Sequence, residues 1–233
     1  MKKRPELLAP AGTMEKLQMA LAYGADAAYL GGVQFGLRAF GGNFANEEIR
    51  AAVQLAHGAG KKVYVTVNVF PHNDDLVSLP DYLRFLAEVG ADAVLVADLG
   101  VFMLVREAAP TLPVHISTQA NNVNWRTVRA WQELGAERVV LARELSREEI
   151  REIRRHTSVE LELFVHGAMC ISYSGRCLLS SYFTGRDANR GACAQSCRWK
   201  YALVEMSRPG EYYPIAEDER GTYIMNSKDL CLL

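Results

Sequence analysis

The sequence predicts an α/β chain, (β/α)8 and TIM-barrel-like in plan but incomplete at about seven β/α units, with a Cys-rich segment after strand seven. Three observations carry that prediction. Short apolar, β-rich runs alternate with amphipathic stretches; strict alternation builds a parallel sheet whose strands, covered on both faces, read as nearly continuous apolar runs. A weak internal repeat sets Gly-Ala-acid before every second strand. No Gly-x-Gly-x-x-Gly turn follows the first strand, where Pro10-Ala-Gly12 stands instead, so the rival doubly wound dinucleotide fold lacks its phosphate-binding turn.

The first strand is expected at 6–9 and its helix at 13–23. Gly24-Ala-Asp26 introduces the second strand, 27–30, which runs through a glycine-rich loop, 31–42, to a helix at 46–59. The third strand, 62–69, is followed by a helix at 79–89; Gly90-Ala-Asp92 then precedes the fourth strand, 93–97, and its helix, 100–109. A fifth strand, 114–118, leads to a helix at 125–134. Gly135-Ala-Glu137 opens the sixth, 138–142, with a helix at 146–156, and the seventh covers 160–165. In every helix apolar residues recur at three- and four-residue spacing, which gathers them on one face. Each repeat glycine ends a helix in a left-handed cap, and the small residue after it lets the strand begin close by. Barrel interiors are filled in layers from alternate strands, so a signature on strands two, four and six favours a barrel.

Residues 1–169 therefore form the β/α units, and residues 170–233 a Cys-rich segment that ends, at 224–233, in the start of another helix. A complete barrel takes eight strands and typically ~250 residues. The eighth strand and a C-terminal domain are expected beyond Leu233.

Composition narrows the function. The 233 residues are 49% hydrophobic and 23% charged, an ordinary soluble chain, and the net charge of −1 gives no global basic field for nucleic acid, though a local patch stays open. No run approaches the ~18 apolar residues of a membrane helix, and the opening Met-Lys-Lys-Arg-Pro-Glu leads into a strand rather than a signal-peptide core, so a cytoplasmic protein is expected. The five cysteines all fall from Cys170 onward. An odd number, crowded together without a secretion signal, favours metal or redox chemistry over a disulfide framework.

Cys170, Cys177, Cys193 and Cys197 are spaced C-x6-C-x15-C-x3-C, beginning just past strand seven. Strand C-termini are where barrels collect catalytic groups. Four thiolates gathered by loops can hold a [4Fe-4S] cluster or a structural Zn²⁺, and the first gap is long for a zinc ribbon. Arg176, Arg186, Arg190 and Arg198 would offset thiolate charge or simply be solvated. Strand ends supply the other candidates: Asn68, His115, Gln119 and His166 as catalytic groups, and Asn121 with Arg176 and Arg198 as substrate contacts. In the loop after strand two, backbone amides and Arg38 could hold an anion. Both histidines could equally serve structure. Trp199 and Tyr201, beside the basic run 190–200, are available for base stacking or for packing under the cysteine loops.

The run Glu162-x-Phe164-x-x-Gly167-Ala168-Met169-Cys170-x4-Gly175-x-Cys177-x-Leu179-Ser180 resembles the signature of the U32 family of collagenase-like peptidases, and the likeness extends from Glu6-Leu-Leu-Ala-Pro-Ala-Gly12 to Asn226-Ser-Lys-Asp-Leu230. Alongside members named as peptidases, the family holds RNA hydroxylation proteins and a pair acting in oxygen-independent ubiquinone synthesis. In that pair four cysteines bind a [4Fe-4S] cluster, which the motif carries over to Cys170, Cys177, Cys193 and Cys197 and leaves Cys231 outside. The stretch Asp187-x-Asn189-Arg-Gly191-x-Cys193-x-x-x-Cys197-Arg-Trp-Lys-Tyr201 is most similar to the branch that forms 5-hydroxyuridine at the tRNA wobble position from prephenate. The resemblance thus implies an iron-sulfur-dependent RNA-modifying enzyme, a tRNA partner and a small anionic metabolite as co-substrate; a protein that delivers electrons is a further expected partner. The alternative is the peptidase of the family's name. No Gly-x-Ser-x-Gly elbow or His-Glu-x-x-His helix supports it, and Cys170 with His166 is the one sequence-near thiol–imidazole pair. A zinc-stabilised structural module is the third reading.

Overall fold

Seven parallel strands, β1 (Leu8–Pro10), β2 (Ala27–Gly31), β3 (Lys62–Val67), β4 (Ala93–Val96), β5 (Val114–Ile116), β6 (Arg138–Val140) and β7 (Glu160–Glu162), pair in sequence order into one sheet. The structure is a computed structural model that describes residues 4–36, 42–168, 170, 172–199, 201–204, 206–207, 209–214 and 229–231. Six helices alternate with the strands: α1 (Met14–Ala22), α2 (Asn46–Gly58), α3 (Leu79–Glu88), α4 (Leu99–Ala108), α5 (Trp125–Glu133) and α6 (Arg147–His156). Every expected strand and helix of this part is present. None of the described helices is long and apolar enough to cross a membrane.

Local chemistry sets the helix starts. Side chains of Thr13, Asp98, Asn124 and Ser146 accept the backbone N–H of Lys16, Val101, Thr127 and Glu149, and each such cap is worth roughly 1 kcal/mol. Glu149 reaches back to the Ser146 N–H at 2.8 Å, completing a capping box. The Gly-Ala-acid repeat has a use beyond the helix end. Gly24 and Gly90 take φ of 99° and 82°, the left-handed region that glycine enters without steric cost. Two residues on, Asp26 accepts the Leu7 N–H at 2.9 Å and Asp92 the Val63 N–H at 2.8 Å. The acid thereby satisfies a backbone donor at the start of the preceding strand.

Alternation along the strands separates two cores. On β4, Val94 and Val96 join the large cluster beneath the helices, whereas Ala93 and Leu95 join a smaller one with Ala27, Tyr64 and Val140 on the concave side. The sheet is curled: across its inside, Arg138 at the start of β6 reaches Glu6, just ahead of β1, at 2.8 Å. No β1–β7 pairing closes the ring among the described residues.

Past β7 the chain leaves the sheet. The expected strand at 160–165 ends at Glu162, and β8 (His166–Ala168) pairs antiparallel with β11 (Asp229–Cys231) instead. The helix expected at 224–233 is corrected at 229–231, which are strand, because the backbone of β8 offers a free edge there. Its other residues lie outside the described ones. Between these elements come a short helix, α7 (Leu179–Thr184), and a hairpin of β9 (Ala202–Val204) and β10 (Tyr212–Pro214).

Candidate functional site

The concave face of the sheet is layered. At the N-terminal ends of the strands lies a charged tier, in which Arg138 binds Glu160 at 2.7 Å, Glu6 at 2.8 Å and Glu162 at 3.4 Å. Tyr64 donates its hydroxyl to Glu6 at 2.7 Å, and Lys62 approaches the other Glu6 oxygen at 3.2 Å. Burial works to raise the Glu6 carboxyl, but hydrogen bonds from Arg138 and Tyr64 outweigh it and hold the group below its ordinary range. Above this tier sit the side chains of Leu95 and Val140.

A cavity of about 180 Å³ opens at the C-terminal ends, walled by Thr66, Asn68, Ser117, Gln119, Glu162 and Phe164, among others. Asn68 Nδ2 donates to Ser117 Oγ at 3.4 Å and to Gln119 Oε1 at 3.3 Å, and Ser117 Oγ also donates to Gln119 Oε1. These three neutral groups orient one another while leaving hydrogen-bonding capacity for a ligand. Glu162 is the only carboxylate in the wall among the described residues. Burial pushes its pKa up, against the partial opposition of Arg138 beneath it.

The cysteine loops lie over this mouth and are pinned to it at several points. Arg176 donates to the Gln119 carbonyl at 3.2 Å and stacks 5.0 Å from the centre of the Phe70 ring. The Asn189 carbonyl accepts the Phe70 N–H at 3.3 Å, and the Asn189 side chain accepts the Cys177 N–H at 3.1 Å. Arg190 makes a bidentate pair with Asp75 at 2.8 and 2.9 Å. The His72 N–H, and then Arg190, hold the Asp75 carboxyl below the usual range.

Cys170, Cys177, Cys193 and Cys197 are all free thiols. Burial pushes the Cys170 thiol up, the neighbouring Cys177 and Cys197 thiols add to this, and the Ser172 backbone and Arg143 oppose it. Three of the four thus share one electrostatic environment. The fourth, Cys193, accepts the Gln195 N–H at 3.3 Å, the type of contact that stabilises a ligating thiolate. Among the described residues no three His, Cys, Asp or Glu side chains are grouped so as to grip a single metal ion.

The other sequence candidates separate. Asn68 and Gln119 line the mouth, and Arg176 is its tie to the cysteine loops. His115 lies two residues below Ser117 on the same inward face, in the charged tier, edge-on to Tyr64 at 4.7 Å. Burial, reinforced by Arg138, lowers its pKa to about 3, which keeps the imidazole neutral near pH 7. His166 is exposed on β8 and does not line the cavity. Asn121 turns the chain in a left-handed conformation at φ 63° and is not part of the wall. Arg198 is exposed in the turn Ser196–Arg198. Arg38 lies outside the described residues.

Sequence reasoning missed Glu162 and Phe164 as site residues, and Arg143, which stands over the Phe164 ring at 5.6 Å and beside Cys170. Period-two reading of Glu160-Leu-Glu162-Leu-Phe164 would have found the first two, because every second residue faces inward.

A curled parallel β/α sheet with a polar mouth at its strand C-termini, capped by thiol-bearing loops, defines a TIM-barrel-like protein that gathers its chemistry at that end. The chain belongs to peptidase family U32, whose model matches residues 12–233. It is 45% identical to tRNA hydroxylation protein P of Escherichia coli (strain K12), over 97% of this chain and 59% of that protein. It is 47% identical to tRNA hydroxylation protein P1 of Bacillus subtilis (strain 168), over 99% of this chain and 54% of that one. The chain therefore spans little more than half the length of these relatives. The solved structure of the U32 peptidase Mk0906 matches with a TM-score of 0.64 at 20% identity, covering 93% of this chain and 90% of that one, a likeness of fold.

Proposed function

We propose that this chain is the cluster-bearing barrel of an RNA hydroxylation protein, converting the wobble uridine of tRNA to 5-hydroxyuridine with prephenate as co-substrate. The observation that carries the reading is its identity of 45% and 47% to two proteins named for tRNA hydroxylation, each aligned with nearly the whole chain. Cys170, Cys177, Cys193 and Cys197 would hold a [4Fe-4S] cluster. Their sequence spacing, C-x6-C-x15-C-x3-C, has a first gap long for a zinc ribbon, and in a cluster each thiolate binds a different iron, so the four need not converge on one ion. When bound, the cluster supplies electron transfer or substrate activation that side chains lack.

The remaining work falls to the chain's own groups. Asn68, Ser117 and Gln119 present fixed donors and acceptors to the polar edge of a base or to the oxygens of a small anionic metabolite. Phe164 offers a ring face, Arg143 a cation beside it, and Glu162 a carboxyl that can hold a proton at its Oε atoms. The loops fixed by Arg176, Asn189 and Arg190 stand beside the mouth. A protein that delivers electrons completes the proposed set of partners.

The peptidase reading finds little support in the mouth. A nucleophile needs an activating base. Ser117 is bonded to Asn68 and Gln119, and the histidine on its strand packs on Tyr64 in the tier below.

The test is complementation. Cells lacking the gene should lose 5-hydroxyuridine from tRNA nucleoside digests, regain it with the full-length protein and not with Cys193→Ala. The protein purified without oxygen should carry iron and sulfide in near-equal amounts and a visible chromophore. A colourless, iron-free preparation that hydrolyses peptides, with tRNA unchanged in the deleted cells, would overturn the reading.

A further inference from the structure

Around the last three of the four cysteines, the chain carries a ridge of rings that the mouth does not use. Tyr182 and Phe183 on α7 stand 5.3 Å apart, Phe183 lies 6.4 Å from Trp199 and 5.7 Å from Tyr201, and Trp199 stacks on Tyr201 at 6.5 Å. Tyr201 is the root of the ridge, its hydroxyl donating to the Ser196 carbonyl at 2.8 Å, one residue from Cys197. The outer members face solvent: Tyr182 is 84% exposed, Trp199 48% and Phe183 42%. Burying such rings is normally favourable, so a contiguous exposed set marks a surface that binds something.

Charge identifies what it binds. From Cys170 to Tyr201 the sequence holds four arginines and one lysine against the single acid Asp187, a net +4 that the Arg190–Asp75 pair reduces to +3, in a chain of net −1. Rings among cations suit a polyanion with flat, unstacked faces. Unpaired nucleotides have both properties, whereas a duplex hides its base faces within the stack.

We propose that Tyr182, Phe183 and Trp199, set among the arginines of this segment, form a stacking platform for unpaired nucleotides of the RNA substrate. The platform holds nucleotides next to the target while the target itself enters the mouth, to which the segment is tied through Arg176 and Gln119. This inference rests on the hydroxylation reading for the identity of its ligand.

The full-length protein is titrated into an unmodified anticodon stem–loop RNA carrying 2-aminopurine in the loop, with a blunt duplex as control. The unaltered protein should quench the fluorescence and prefer the stem–loop. Tyr182→Ala with Trp199→Ala should weaken binding about tenfold or more and remove the quenching, at unchanged iron content and unchanged salt dependence. Tyr182→Phe with Trp199→Tyr, which keeps the rings, should restore both. Unaltered affinity and quenching in the double alanine variant would overturn the platform while tRNA hydroxylation still stood. A shift of oligomeric state in that variant, with RNA binding intact, would overturn it too, by assigning the ridge to a second copy of the chain. If the unaltered protein neither bound the stem–loop nor restored 5-hydroxyuridine, the functional reading would fall and the platform with it.

Discussion

The two ends of the barrel interior are built on the same strands and on the same inward positions, yet their chemistry is opposite. At the N-terminal end Arg138, Glu6, Glu160, Lys62 and Tyr64 saturate one another with ion pairs and hydrogen bonds. At the C-terminal end Asn68, Ser117 and Gln119 are neutral and bond mainly among themselves around open space. A saturated ion network has little left to offer a ligand, whereas oriented neutral groups at a cavity do. Polarity inside a barrel therefore does not mark a site until its bonds have been accounted for. Glu162 belongs to both ends, lining the mouth while touching Arg138 below.

The largest effect should come from breaking the lower end. Arg138→Met leaves Glu162 without its cation and Glu6 with Lys62 alone, and removing one partner of a buried pair costs about 3–5 kcal/mol. Urea unfolding should show that loss, and a change within 1 kcal/mol, by the usual range for surface sites, would mean the network is merely ornamental to folding. Glu162→Gln should do the reverse. It keeps shape and loses proton-holding capacity, so the proposed tRNA hydroxylation should fall on the order of 100-fold while unfolding shifts little. An equal effect on both measurements would erase the contrast between the two ends.

Asn68→Ala probes the upper end more gently. Loss of hydrogen bonds worth about 1 kcal/mol each predicts a drop in kcat/KM of roughly five- to thirtyfold, with stability lowered by no more than ~1.5 kcal/mol. His115→Leu should barely change the modification, because this histidine lies below the mouth. Its signature is in acid. The folded-state pKa of about 3 lies below the unfolded value of ~6.5, so the unfolded chain takes up the proton first and stability falls as pH drops through that interval. In His115→Leu that part of the acid sensitivity should vanish from unfolding curves. Its persistence would place the sensitivity elsewhere.

Elements whose signal is local were legible in the sequence. The seven strands and six helices of the sheet follow from apolar spacing, and the repeat glycines mark helix ends through a single backbone angle. Asn68 and Gln119 were legible as lining of the mouth because residue type and strand end coincide. Depth was not. Two residues along a strand span ~6.6 Å, enough to move His115 from the mouth to the charged tier, and strand stagger rather than residue type decides which. Nor was the partner of β8 legible: the pairing of Gly167 with Leu230 joins residues far apart in the chain through backbone bonds that carry no side-chain pattern. The aromatic ridge was half visible, Trp199 and Tyr201 by their basic neighbours, Tyr182 and Phe183 only once α7 set them alongside.

The Glu6–Arg138 pair joins residues 132 positions apart. At a synthesis rate of about 5–20 residues per second, Glu6 waits on the order of ten seconds for its guanidinium to be made. Throughout that time only Tyr64 and Lys62 can hold Glu6 across the sheet, and closing so long a loop adds an entropic cost that local contacts do not meet. The lower end of the barrel is thus a late event in the life of the chain, and the mouth takes its shape only after it.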